Sequence, residues 1–128
     1  MKVSLRIAAI VCLLVVAGVH LHLYQVSYHF IPTIGPLFVA AGVIAVLAAI
    51  GLMVRPSKLL NLAGALFCLG TFVSYILALV LPAGIFGFHE PYLISGSNVA
   101  YEGIVVIVAE VVGAVVMLVG AKQSDQLL

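Results

Sequence analysis

Residues 34–81 read IGPLFVAAGVIAVLAAIGLMVRPSKLLNLAGALFCLGTFVSYILALVL and indicate the architecture of the chain. This stretch contains two long apolar runs, 34–54 and 59–81, separated only by the basic turn RPSK. A bilayer core about 30 Å thick is crossed by about 20 apolar residues in helical form. Each run is therefore predicted to be a transmembrane helix, and the short turn predicts that the two helices form an antiparallel hairpin.

Two further apolar runs, 4–26 and 98–121, lie on either side of this hairpin. The first begins like a secretory signal, but it continues past Ala17 to Val26 and is long enough to span a membrane. Continuous runs of this length exclude the alternating strands of a β-barrel. The predicted fold class is an all-α integral membrane protein, a single membrane domain over residues 1–128 that forms an antiparallel four-transmembrane-helix bundle.

The composition supports this fold class. Hydrophobic residues make up 66% of the chain and charged residues 7%, and the mean hydropathy is +1.40. Soluble domains have about 45–50% apolar and about 25% charged residues. A soluble globule, a disordered chain and a nucleic-acid binder are thereby excluded. The two cysteines form no CxxC pair, which argues against a zinc ribbon or a redox dithiol.

The basic residues predict the orientation. The loops between the first and second helices and between the third and fourth contain no lysine or arginine. Positively charged loops stay in the cytoplasm, so both termini are predicted to be cytoplasmic. The five basic residues lie at the two termini and in the RPSK turn: Lys2, Arg6, Arg55, Lys58 and Lys122.

Glu110 is the most informative polar residue, because it lies roughly 13 Å below the outer end of the fourth helix. A carboxyl group at that depth costs at least about 2.5–3.5 kcal/mol and requires a partner. We expect a buried polar knot of Glu110 with His20 and Tyr75, and with Ser74 and Thr71 as the next candidates. This knot is either a structural clasp, a proton, ion or quinone-headgroup site, or a contact with another subunit.

A second polar group lies on the outer half of the chain and contains His22, His29, His89 and Glu102. Imidazole is a ligand for copper and zinc, so these residues are a candidate site for one of those metals. The alternative is that they belong to an interfacial aromatic belt. A haem needs axial ligands on different helices. The second, third and fourth predicted helices contain no histidine, which argues against a haem held by this chain alone.

Small residues recur along two of the predicted helices. They permit the close backbone approach on which helix association in membranes depends. Such stripes either build the bundle itself or face another protein. The residues are Ala41, Ala45 and Ala49 on the second helix and Ala109 and Gly113 on the fourth.

The outer connection, residues 82–97, is longer than the usual helix–helix loop of about 2–8 residues. It is also apolar, because it contains Phe86, Phe88 and Tyr92. We expect it to lie on the membrane surface or to cover the outer end of the bundle as a lid.

Residues 17–38, AGVHLHLYQVSYHFIPTIGPLF, resemble the first hairpin of a group of small bacterial four-span membrane proteins, which share an IPTIG-type turn. The resemblance implies four helices in a bacterial cytoplasmic (inner) membrane and brings no assigned activity. The chain departs from the small multidrug transporters, which carry their embedded glutamate in the first helix. It also lacks the outer cysteine pairs of the disulfide-generating quinone reductases.

No Ser-His-Asp set, phosphate-binding loop or paired soluble carboxylates occur in the sequence. We therefore expect no enzymatic activity and no nucleic-acid partner. The leading hypothesis is an accessory or structural subunit that binds other membrane proteins or copies of itself within the lipid bilayer. The alternatives are an outer-face module for a metal or small ligand, and a minimal proton-linked carrier centred on Glu110 and His20.

Overall fold

The computed structural model describes residues 1–29, 31–81, 84, 98–125 and 127–128. This part of the chain is helical and contains no strand. Its four long helices are long and apolar enough to cross a membrane, which confirms the all-helical, multi-pass prediction. The elements are α1 (Val3–Leu23), a π-helical turn (Tyr24–Tyr28), α2 (Ile34–Val54), α3 (Lys58–Val80) and α4 (Asn98–Gln123).

Two helix ends show how the sequence sets the boundaries. The sequence predicts a first span that ends near Val26, and the candidate span is Val3–Val26. Its α-helical hydrogen bonding ends at Leu23, and a wider π-turn carries the chain on to Tyr28. At α3, the Ser57 Oγ accepts a hydrogen bond from the Leu60 N–H at 3.1 Å. This bond satisfies one of the free N–H groups at the start of the helix.

The four helices form a ring in which one seam is loose. Helix α1 packs along both α2 and α4, and α3 packs along α4. Helices α2 and α3 contact each other over a much shorter stretch, although only a short turn joins them. Within the described ranges, no helix contact crosses the ring from α1 to α3 or from α2 to α4. The α2–α3 seam is therefore the weakest boundary of the bundle.

The predicted small-residue stripes lie inside the bundle. Ala45 and Ala49 are fully buried, and a Cβ added at Gly113 would lie 3.1 Å from the Cys12 Cβ. Many large apolar side chains point outward instead; Leu66, for example, is 72% exposed. The stripes are thus used for packing within the chain. All five of the predicted residues are buried: Ala41, Ala45, Ala49, Ala109 and Gly113.

One end of the bundle gathers both termini and the α2–α3 turn. The Arg6 Nε donates to the Leu52 carbonyl oxygen at 2.6 Å, and its Nη2 donates to the Met53 carbonyl oxygen. The Leu59 N–H donates to the Leu127 carbonyl oxygen at 2.8 Å. We call this the terminal end. The histidine-containing end of α1 lies at the opposite end.

The connection between α1 and α2 is compact. The Gly35 N–H donates to the Ile31 carbonyl oxygen at 2.9 Å. A Cβ added at Gly35 would lie 2.8 Å from the Tyr28 carbonyl oxygen, which is closer than real Cβ atoms approach. Thr33 adopts a φ of 69°, a conformation that costs a β-branched residue free energy. This turn therefore requires glycine at position 35.

The predicted lid of residues 82–97, with Phe86, Phe88 and Tyr92, lies outside the described residues except for Gly84.

Candidate functional site

The loose seam between α2 and α3 holds a cavity of about 420 Å³, in the half of the bundle away from the terminal end. This volume lies within the range of about 300–1,000 Å³ that is typical of small-molecule sites. We call it the α2–α3 cavity. Its lining residues are His20, Ile34, Leu37, Phe38, Ala40, Ala41, Ile44, Phe67, Gly70, Thr71, Ser74, Tyr75 and Ala78.

Four polar side chains share this otherwise apolar wall: His20, Thr71, Ser74 and Tyr75. All four were proposed from the sequence as members of the polar knot, on the basis of helix depth. The structure places them around one cavity between α2 and α3. The fifth predicted member, Glu110, is not part of the cavity wall.

His20 is held by its own helix. Its Nδ1 lies 2.8 Å from the Val16 carbonyl oxygen, and its ring packs against Phe38 with the centroids 5.1 Å apart. A carbonyl oxygen only accepts hydrogen bonds, so Nδ1 carries the hydrogen of this bond. In the neutral imidazole, Nε2 is then left as a hydrogen-bond acceptor.

The two hydroxyl groups are also engaged by the backbone of their helix. The Thr71 Oγ1 donates to the carbonyl oxygens of Phe67 at 3.1 Å and Cys68 at 2.9 Å. The Ser74 Oγ donates to the Gly70 carbonyl oxygen at 2.8 Å. A hydroxyl group has a single hydrogen, and here that hydrogen is already used. Each hydroxyl oxygen can therefore only accept a further hydrogen bond, through its lone pairs. Such bonds to the preceding turn are common for serine and threonine in helices.

Glu110 lies behind the cavity wall. It is 1% exposed, and its carboxyl group lies beside the Thr71 side chain. Its Oε2 has no hydrogen-bond partner among the described residues. No ion pair joins Glu110 to His20 within the described chain. Thr71 is thus the residue that lies between the buried carboxyl group and the cavity.

The candidate metal ligands lie outside the cavity wall and do not form one cluster among the described residues. The His22 Nδ1 lies 2.5 Å from the Glu102 Oε1, and this pair links α1 to α4 near the opposite end. The His29 Nδ1 lies 3.1 Å from the Tyr24 carbonyl oxygen, and His89 is outside the described residues. Within the described ranges, no three His, Cys, Asp or Glu side chains lie close enough to hold a metal ion. A copper or zinc site stays a prediction.

The His22–Glu102 pair is expected to contribute little to stability. The His22 side chain is 54% exposed, so solvent screens the interaction. In a double-mutant cycle of His22→Ala and Glu102→Gln, we expect a coupling free energy below about 1 kcal/mol. The cycle is read from reversible unfolding in mixed detergent micelles. A coupling several times larger would show that the pair is withdrawn from solvent.

A second groove of about 280 Å³ continues the seam toward the terminal end. Ile44 and Phe67 line both this groove and the α2–α3 cavity. Its wall includes the small residues Ala48, Ala63 and Gly64. The seam therefore stays loose along much of the length of the two helices, a feature that the sequence did not predict.

No protein-family model, curated protein or solved structure matches the chain. The likeness of residues 17–38 to small bacterial four-span proteins therefore stays a prediction.

Proposed function

We propose that this chain is a non-catalytic, multi-pass membrane protein that binds a membrane-dissolved amphipathic molecule in the α2–α3 cavity. The observation that carries the proposal is the cavity itself, an apolar space with a few polar groups in its wall. Pockets of this composition are the usual form of small-molecule sites. The loose α2–α3 seam offers the ligand a lateral route from the bilayer.

The polar groups around the cavity favour binding over catalysis. A nucleophilic mechanism needs a hydroxyl or thiol group activated by a base within hydrogen-bonding reach. Here the Thr71 and Ser74 hydroxyl groups donate to helix carbonyl oxygens, and the His20 Nδ1 lies against the Val16 carbonyl oxygen. The side chains are therefore held as fixed hydrogen-bonding groups in the wall.

The proposed arrangement is an antiparallel bundle in a bacterial inner membrane, with the terminal end in the cytoplasm. Two observations support it. The five basic residues all lie near the termini or in the α2–α3 turn. The contacts of Arg6 with Leu52 and of Leu59 with Leu127 gather these parts of the chain at one end. Basic residues concentrate on the cytoplasmic side of membrane proteins.

Cysteine labelling tests this orientation. Lys58→Cys and Asp125→Cys should stay unlabelled by an impermeant maleimide added to whole cells, whereas Ser95→Cys should react. Ser57 is a poorer probe position because it is buried and caps α3. The unaltered chain, with Cys12 and Cys68 inside the spans, is the control. Labelling of Lys58→Cys from outside would reverse the orientation.

Filling the cavity tests the proposed function. Gly70 lines the α2–α3 cavity, and a Cβ added there meets nothing within 4 Å. Gly70→Phe should therefore occupy the cavity without disturbing the helix packing. Gly18→Phe is the matched control, because its Cβ also meets open space but Gly18 lies away from the cavity.

The readout is native mass spectrometry of protein extracted with its own lipids. We expect a co-purifying small molecule on the unaltered chain and on Gly18→Phe, and at least about a tenfold loss of it on Gly70→Phe. Equal occupancy of all three proteins would contradict the proposal. So would the absence of a bound small molecule from the unaltered chain.

A subunit role is the second candidate, and the groove near the terminal end favours it. Ala48, Ala63 and Gly64 in its wall would allow an apolar helix of another membrane protein to approach closely. Ala63→Leu should then release that partner and reduce the size of the complex on blue-native gels. If the unaltered chain and Ala63→Leu both run as monomers, the subunit role is dismissed and the cavity proposal stays intact.

A further inference from the structure

We infer that the α2–α3 cavity selects amphipaths whose headgroup donates hydrogen bonds, such as a hydroxyl or an ammonium group on a long apolar chain. Headgroups that only accept hydrogen bonds, such as ketones, quinones and ethers, are disfavoured. This inference rests on the proposed function, since it concerns the ligand of the same cavity.

His20 offers the cavity a hydrogen-bond acceptor. Its Nδ1 lies 2.8 Å from the Val16 carbonyl oxygen, which can only accept. The neutral imidazole ring therefore has no further N–H to offer, and its Nε2 presents a lone pair. Because His20 lines the cavity, this lone pair is one acceptor available to a ligand.

The hydroxyl groups of Thr71 and Ser74 also present acceptors to the cavity. The hydrogens of Thr71 and Ser74 are directed to carbonyl oxygens one turn back along α3. Turning either hydrogen toward an acceptor headgroup would break an existing hydrogen bond, whereas accepting from a donor headgroup leaves that bond in place. The oxygen lone pairs therefore add further acceptors to the wall.

The described groups around the cavity supply no hydrogen-bond donor to a headgroup. Neither lysine nor arginine is among the cavity's lining residues. Glu110, a buried ionisable group behind the wall, lies beside Thr71 and has one oxygen without a partner among the described residues. Tyr75 lines the cavity, but its hydroxyl oxygen lies against α4, where a Cβ on Gly103 would collide with it. An acceptor-only headgroup would therefore face the lone pairs of the wall and would lose its hydrogen bonds to water. An unmade buried hydrogen bond of this kind is unfavourable.

The apolar wall determines the rest of the ligand. Leu37, Phe38, Ile44 and Phe67 line the cavity alongside the polar groups. Aliphatic and aromatic side chains of this kind pack against a hydrocarbon chain. The expected ligand therefore combines a long apolar chain with a small donor headgroup.

A matched pair of photoreactive probes isolates the headgroup. One is a long-chain alcohol with a diazirine in its chain, and the other is its methyl ether, which has the same chain but no donor hydrogen. Each is titrated against the full-length protein in lipid nanodiscs. Crosslinks to cavity-lining peptides of α2 and α3 are quantified by mass spectrometry. We expect half-maximal labelling by the alcohol at about fivefold lower concentration than by the ether.

Two single substitutions sharpen this comparison. Ser74→Ala removes one acceptor and should reduce the preference for the alcohol. Val73→Ala, at the neighbouring lipid-exposed position, should leave the preference unchanged.

The outcomes separate the inference from the proposed function. Saturable labelling of the cavity by both probes at equal concentration, or preference for the ether, overturns the headgroup inference while the cavity remains a binding site. Labelling that does not saturate with either probe overturns both. Saturable labelling with the alcohol preferred supports both.

Discussion

Replacing Gly35 with alanine is expected to lower the free energy of unfolding by about 1–3 kcal/mol. The new Cβ would lie 2.8 Å from the Tyr28 carbonyl oxygen and 3.3 Å from that of His29. These are backbone atoms, so no side-chain rotation relieves the overlap. The turn that joins α1 to α2 must shift instead. Reversible unfolding in mixed detergent micelles measures the change.

Two other glycines provide the control for this substitution. A Cβ at Gly18 or at Gly70 meets nothing within 4 Å. Gly18→Ala and Gly70→Ala should therefore be neutral or stabilise their helices by up to about 0.5–1 kcal/mol. If Gly35→Ala unfolds with the same free energy as these two variants, the close approach of α2 to the Tyr28 carbonyl group is wrong.

Replacing Glu110 with methionine is expected to raise the free energy of unfolding by about 1–3 kcal/mol. The Glu110 side chain is 1% exposed, and one of its carboxyl oxygens has no partner among the described residues. Methionine is similarly long and unbranched, so it fills the same space without a polar group to satisfy. The same unfolding assay measures the gain.

Glu110→Gln is the comparison for this variant. It keeps the size and polarity of the side chain, and it should be less stable than Glu110→Met because its amide group still needs partners. A loss of stability in Glu110→Met would mean that the carboxyl group makes a net favourable contact.

The fold class was accessible from the sequence because it depends on the length of the apolar runs. Four such runs predict four helices, and the structure has them. Helix depth placed five polar residues at a similar level, and four of them, His20, Ser74, Thr71 and Tyr75, line one cavity. Glu110, the residue around which the group was predicted, lies outside its wall.

The individual contacts could not be obtained from depth alone. Depth favoured His20 or Tyr75 as the first partner of Glu110, whereas the polar side chain beside its carboxyl group is that of Thr71. Depth gives the level of a side chain in the bilayer but not its rotation about the helix axis. The Nδ1 of His20 is instead satisfied by its own helix, through the Val16 carbonyl oxygen four residues earlier.

The loose contact between α2 and α3 could not be predicted from the sequence for a different reason. The short turn at residues 55–58 suggested a tight hairpin, but a turn fixes only the ends of the helices that it joins. Whether the helices stay together depends on the side chains between them. Ile44 and Phe67 line both openings in the seam, and such packing is a property of pairs of helices that one sequence pattern does not encode.

Tryptophan fluorescence can show whether an amphipath occupies the α2–α3 cavity, because the chain contains no tryptophan of its own. Phe67→Trp places the only tryptophan in the cavity wall, and Leu66→Trp places it at the adjacent, 72% exposed position. Both variants are titrated in lipid nanodiscs with a brominated long-chain alcohol and, separately, with its methyl ether. We predict saturable quenching by the alcohol at position 67 and unsaturated quenching, proportional to the amount of probe in the lipid, at position 66. Parallel, unsaturated quenching at both positions by both probes would contradict the account.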